Sequence, residues 1–168
     1  MEPIPNLAEA ENKVLSDIKD CLKTIRGLVA EDPASASEGV KRLQLLRQAV
    51  YEDINQIQHE ELILRAAKFL EQTDFKGQKV DWYWNPRQTG DASEPDLRGV
   101  IAGKIALSAE ITTSERPVGI LDTRMASTLK KLNDMPGQRY YFVRTQEMAQ
   151  RARTKITRAG YAITVKKI

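Results

Sequence analysis

Two carboxylates stand where a strand would be better served by apolar side chains. Asp96 follows Pro95 at the head of "DLRGVIAG", and Glu110 lies deep in "KIALSAEITT". Strand side chains alternate, so Ile105, Leu107, Ala109 and Ile111 share one face. Ala106, Ser108, Glu110 and Thr112 share the other, and Glu110 points away from the apolar face near the strand's end. The turn between the two runs sets the distance between the acids. A two-residue turn at Ala102 and Gly103 pairs Asp96 with Ala109. A three-residue loop, Ala102 to Lys104, pairs it with Glu110, and a bulge at Gly99 also shifts the register. In either register the carboxylates come close enough to share a cation. Two acids held together repel, and a hard divalent ion removes that cost, activates water and stabilises charge on a phosphate. The competing structural account has Asp96 capping a turn and Glu110 paired with an arginine such as Arg98.

The elements that position these residues follow from periodicity. Residues 6–31 carry Val14, Ile18, Leu22, Ile25 and Val29 at helical spacing, with Asn6 as the cap. Pro33 and small polar residues break this pattern. A second helix starts near Ser37, with Leu43, Leu46, Val50, Ile54 and Ile57 on its stripe, and the two form an antiparallel hairpin. The stripe blurs at "QIQHEE" and resumes at Leu62, Ala66 and Phe69, which predicts a bend or register shift near His59 and a third helix beyond it. After "DFKG" the period becomes two: Val80, Trp82 and Trp84 alternate with Asp81, Tyr83 and Asn85. Residues 86–95 read as a loop, and the two acid-bearing runs as a strand hairpin.

Pro117 precedes a helix with Leu121, Met125, Leu129 and Leu132 on one face, and "RYYFVRT" is a fourth strand. Thr145 caps a helix that turns Met148, Ala152 and Ile156 inward and stops at Gly160; "YAITVKKI" is the last strand. The expected fold class is α/β (α+β): a mixed sheet of about five strands flanked by helices, with right-handed parallel crossovers at its C-terminal end. The expected division is a helical hairpin over 1–58 and a core over 59–168.

The order helix, three strands, helix, strand, with "PD" at 95–96 and "EIT" at 110–112, resembles the PD-(D/E)XK nucleases, the restriction-endonuclease-like superfamily. The resemblance covers residues 59–168 and implies a magnesium-dependent endonuclease, a phosphodiester hydrolase acting on DNA. It implies Asp96 and Glu110 as magnesium ligands, with Glu61 or Glu60 as a further acid from the preceding helix. The family's lysine, two residues after the second acid, is Thr112 in this chain. That lysine orients the attacking water and offsets phosphate charge; Lys104, Lys79 and Lys131 are the substitutes the sequence offers.

Charge is divided unevenly. Residues 1–115 hold 14 Lys/Arg against 20 Asp/Glu, and residues 116–168 hold 12 against 3. A basic C-terminal third points to a polyanionic partner. Arg151, Lys155 and Arg158 fall on one helix stripe, Arg144 leads into it, and Arg124 and Lys131 share a face of the preceding helix. These are the expected nucleic-acid contacts, each neutralising a phosphate. Solvation of helix surfaces is the plain alternative.

Trp82 and Trp84 are expected under the helices, with Tyr83 partly exposed. His59, the single histidine, is expected on a helix surface, with a general base as the alternative, and the single Cys21 as a small buried hydrophobe that excludes an internal disulfide. No apolar run approaches a membrane span, and the start "MEPIPNLAEAE" lacks a signal core, so a cytoplasmic protein without a membrane partner is expected. The leading expectation is a magnesium-dependent DNA endonuclease, dimerised through the N-terminal helices. The alternatives are a catalytically inactive DNA-binding module and an oligomeric assembly protein.

Overall fold

The computed structural model describes residues 1–86 and 93–168. Residues 87–92, the middle of the loop expected over 86–95, lie outside that description. A short strand β1 (Glu2–Ile4) precedes helix α1 (Leu7–Leu28). The Asn6 side chain accepts from the Ala8 N–H at 2.9 Å and fixes the helix start, as expected. Helix α2 (Ala36–Gln72) follows, capped by Ser35. Strands β2 (Asp81–Trp84), β3 (Leu97–Ile101) and β4 (Lys104–Thr112) come next, then α3 (Ile120–Asn133), β5 (Gln138–Val143), α4 (Gln146–Ala159) and β6 (Thr164–Lys167).

The strands form one open mixed sheet in the order β1-β2-β3-β4-β5-β6. Pairing is antiparallel from β1 to β4 and parallel from β4 to β6. Among the described residues the sheet therefore has six strands rather than about five. The additional strand, β1, pairs Ile4 with Trp82 and Glu2 with Trp84. Three residues are too few to show alternation, and within β1 only Ile4 is buried.

The expected third helix is not separate: α2 runs unbroken through His59 as one helix of 37 residues, about 55 Å long. No Gly or Pro interrupts residues 40–72. The blur at "QIQHEE" marks a change in what the helix packs against, from α1 alone to α1 and the sheet. The expected division after residue 58 falls inside this helix.

Helices α1 and α2 cover one face of the sheet. Val14, Ile63, Ala66 and Leu70 pack there with Trp82, Trp84, Leu107 and Phe142. Fully burying Ile63 or Leu70 contributes about 1.5–3 kcal/mol apiece. Trp82 donates its Nε1–H to Glu71 Oε1 at 2.7 Å, so its polar edge is satisfied. Helices α3 and α4 cover the other face through Met125, Leu129, Leu132, Met148 and Ile156, against Tyr141, Val143 and Val165. The far half of the α1–α2 hairpin projects past the sheet. Leu22, Val29, Leu43 and Ile54, expected on the inward stripes, are exposed there.

Candidate active site

The β3–β4 hairpin turns at Ala102 and Gly103, both at positive φ, the geometry of a two-residue turn. The register then shifts between Gly99 and Val100: Val100 pairs with Ile105, and Gly99 with Leu107. The next pairs are Arg98 with Ser108 and Leu97 with Ala109. Continuing the ladder by one residue sets Asp96 opposite Glu110. Neither simple turn considered from the sequence is used alone; the short turn and the bulge act together.

Asp96 stands just before β3 and is buried. Its Oδ2 accepts the Ile111 N–H at 2.7 Å and lies 3.3 Å from His59 Nε2. His59 is therefore buried against an acid rather than placed on the helix surface as expected. The spacing of His59, Leu62, Ile63 and Ala66 puts it on the buried face of α2, a signal present in the sequence. Burial opposes a charge on His59. The hydrogen bond and charge of Asp96, with Ile111 and Glu110 adding to them, nonetheless hold its pKa above the ordinary value.

Glu110 is buried on the α3 side of the sheet, opposite Tyr141 of β5. Lys131 Nζ, from α3, lies 2.6 Å from Glu110 Oε1 and donates to the Glu94 carbonyl at 3.3 Å. The Lys131–Glu110 contact is an ion pair without good hydrogen-bond alignment, and Glu110 Oε1 counts among the buried oxygens that lack a hydrogen-bond partner. Burial first, then the charge of Asp96, push the Glu110 carboxyl up to about 7, against the pull of Lys131 and His59. Burial and the Glu110 charge also raise the Tyr141 hydroxyl, which interacts with Thr112.

A cleft of about 450 Å³ opens beside these groups at the end of β4. Its walls are α2, through Glu52, Gln56 and His59, and α3, through Arg124 and Thr128; Glu110 and Thr112 lie at its base. Gln56 Oε1 and His59 Nδ1 are buried without hydrogen-bond partners. Ligands compete well for such groups, because leaving them unmet is costly.

The other sequence candidates divide. Thr112 lines the cleft and accepts the Ser114 N–H at 3.2 Å. Arg124 is exposed at the cleft mouth. Glu61 is turned to solvent and pairs with Arg65 at 2.6 Å, away from Asp96 and Glu110. Glu60 is buried toward α1 and pairs with Lys13 at 2.9 Å. Lys104 is exposed at the hairpin turn, the opposite end of β4 from Glu110 and about 20 Å along the strand. Lys79 is exposed before β2. Arg144 lies 3.7 Å from Glu115, and Arg151 and Lys155 both bind Asp122 of α3. Arg158 is exposed near the end of α4.

Among the described residues, no group of three or more His, Cys, Asp or Glu is arranged to hold a metal ion. No described helix is long and apolar enough to cross a membrane. No protein-family model matches the chain, and no curated protein or solved structure is significantly similar to it.

Proposed function

We propose that this chain is a magnesium-dependent endonuclease that hydrolyses DNA phosphodiester bonds, with a restriction-endonuclease-like core. One observation carries the reading: Asp96, Glu110 and Lys131 come together from the start of β3, from β4 and from α3, where Glu110 lines an open cleft. The antiparallel β2-β3-β4 set, followed by α3 and a parallel β5, is the order of elements that the resemblance implies.

Mg2+ commonly takes one or two carboxylates and fills its remaining positions with water and phosphate oxygens. Two facing acids, one with its carboxyl pushed up to about 7 by burial and by the other's charge, fit such an ion. Asp96 and Glu110 would hold it; bound there, it would lower the pKa of a water and take up charge on the phosphate.

The chain's own groups do the rest. Lys131 offers an ammonium beside Glu110, the charge that Thr112 cannot supply. With Glu110 engaged by a cation, the Lys131 ammonium would be free to reach the phosphate. His59 and the Ile111 N–H hold the Asp96 carboxylate in one orientation. Arg124 at the mouth neutralises a neighbouring phosphate.

Nicking of supercoiled plasmid DNA in Mg2+ tests this, beside Asp96→Ala, Glu110→Ala and Lys131→Ala variants. Cleavage by the wild type, lost in each variant, is the expected result. Salt-sensitive binding without cleavage replaces the enzyme with a DNA-binding module, a reading favoured by Thr112 at the lysine position. Neither cleavage nor binding leaves an assembly protein, for which the exposed Leu22, Val29 and Leu43 of the hairpin speak.

A further inference from the structure

A second pocket lies away from the cleft's acids, between α1 and α2, with a volume of about 210 Å³. Four carboxylates line it: Asp17 and Asp20 from α1, Asp53 and Glu60 from α2. The spacing of α1 and α2 sets these acids on one side of the hairpin. The chain itself provides one cation. Lys13 Nζ sits 2.9 Å from Asp17 Oδ2 and 2.9 Å from Glu60 Oε2. Among the described residues, neither Asp20 nor Asp53 makes an ion pair, so acids outnumber cations in the pocket.

The unmet group is specific. The Glu60 side chain is only 2% exposed, and its second oxygen, Oε1, is buried without a hydrogen-bond partner. Gln56 lines both this pocket and the cleft, and its one unmet oxygen is likewise an acceptor. The acids do not gather closely enough to hold a bare metal ion. The cation already seated among them is an ammonium at hydrogen-bond distance from two carboxylates.

We propose that this pocket binds a further alkylammonium group, carried by a free polyamine or by a lysine side chain of a partner. The site is separate from Asp96 and Glu110 and does not depend on the nuclease reading.

Calorimetric titration at low ionic strength, with spermidine and with a tetralysine peptide as probes, tests it. The proteins are the wild type, an Asp20→Asn/Asp53→Asn double variant and Glu110→Gln. Asp20 and Asp53 are exposed on helix surfaces, and circular dichroism checks that the double variant folds. Expected is binding to the wild type that weakens about tenfold or more in the double variant and is unchanged in Glu110→Gln. Tighter binding of spermidine identifies a polyamine site, and tighter binding of the peptide a partner's lysine; either supports the ammonium assignment. Equal affinity in the double variant, or no binding of either probe, overturns it. Displacement of spermidine by an equimolar amount of MgCl2 also overturns it, in favour of a metal site.

Discussion

Asp96, one residue beyond the Leu97–Ala109 pair, comes beside Glu110 because Ala106 goes unpaired. With the two-residue turn alone, Asp96 would stand opposite Ala109. The bulge adds one residue to β4 between the partners of Gly99 and Val100, and moves the ladder on by one. The juxtaposition of the acids is thus set about three residues away from them, where the chain needs a residue without a side chain.

Gly99 is that residue. A Cβ built on it would lie 2.9 Å from Val80 Cγ1 and 3.0 Å from Leu107 Cδ2. Both contacts are with side-chain ends, which can shift at a price in packing. Gly99→Ala is expected to lower unfolding free energy by about 1–3 kcal/mol. Urea denaturation measures it, and a midpoint equal to the wild type's would show that the bulge tolerates a methyl group.

Glu110 makes stability depend on pH. Its carboxyl titrates near the ordinary 4.5 when unfolded and at about 7 when folded. Between those values the folded chain binds more protons than the unfolded chain, so stability falls as pH rises. His59 acts in the same direction. Its pKa is raised from 6.5, so the stabilisation from its protonated form is full below that value and is lost as pH rises through the folded value. Glu110→Gln is expected to gain on the order of 2 kcal/mol over wild type near about pH 8, with the gain shrinking toward about pH 4.5. Lys131, one-third exposed, can turn to water in this variant. Denaturation curves across the range check it; a constant difference between the two proteins would contradict proton linkage.

The readable parts of the fold were those with long periodic signals. Leu129 and Leu132 on α3, and Met148, Ala152 and Ile156 on α4, are buried as their spacing demands. Thr145 and Gly160 bound α4 as expected. The alternation of Ser108, Glu110 and Thr112 against Leu107, Ala109 and Ile111 correctly set Glu110 on the face away from the large apolar cluster. What the sequence could not give was tertiary. Leu43 and Ile54 have the spacing of a core stripe but lie where α2 has passed beyond the sheet. The helical spacing of His59 with Leu62, Ile63 and Ala66 carried its burial, but nothing local shows the acid that meets it, which arrives 37 residues later at the start of β3. Lys131 was one of three substitute lysines, and only the packing of α3 on β4 distinguishes it from Lys79 and Lys104.

Lys131 is expected to have two separable effects. Its ammonium, ion-paired with Glu110, pulls that carboxyl down, so Lys131→Met leaves Glu110 with less opposition to burial and to Asp96. The Glu110 pKa should rise above about 7, as read from carboxyl chemical shifts in an NMR titration. If the proposed hydrolysis holds, the same change should lower the cleavage rate at saturating DNA by about 100-fold or more, with a much smaller loss of binding. A pKa shift without loss of rate would confine Lys131 to an electrostatic structural role.

Asp122 controls how much of the C-terminal positive charge is available. Its carboxylate accepts Arg151 Nε at 2.7 Å and Nη2 at 2.8 Å, and Lys155 Nζ at 3.0 Å. The Arg151 bond, then the Lys155 bond, hold the Asp122 carboxyl well below the usual carboxylate range. One acid on α3 thus occupies two of the three cations in the stripe on α4, while Arg158 stays exposed. On the proposed DNA-binding reading, Asp122→Ala frees two cations. If both reach phosphates, affinity for duplex DNA should rise, and the slope of log K against log salt should steepen by about 1.8. Arg158→Ala should make it shallower by about 0.9. Fluorescence anisotropy of a labelled duplex over a KCl series measures both slopes. Identical slopes in all three proteins would mean that α4 does not meet DNA, and would turn the search for phosphate contacts to the cleft, to Arg124 and Lys131.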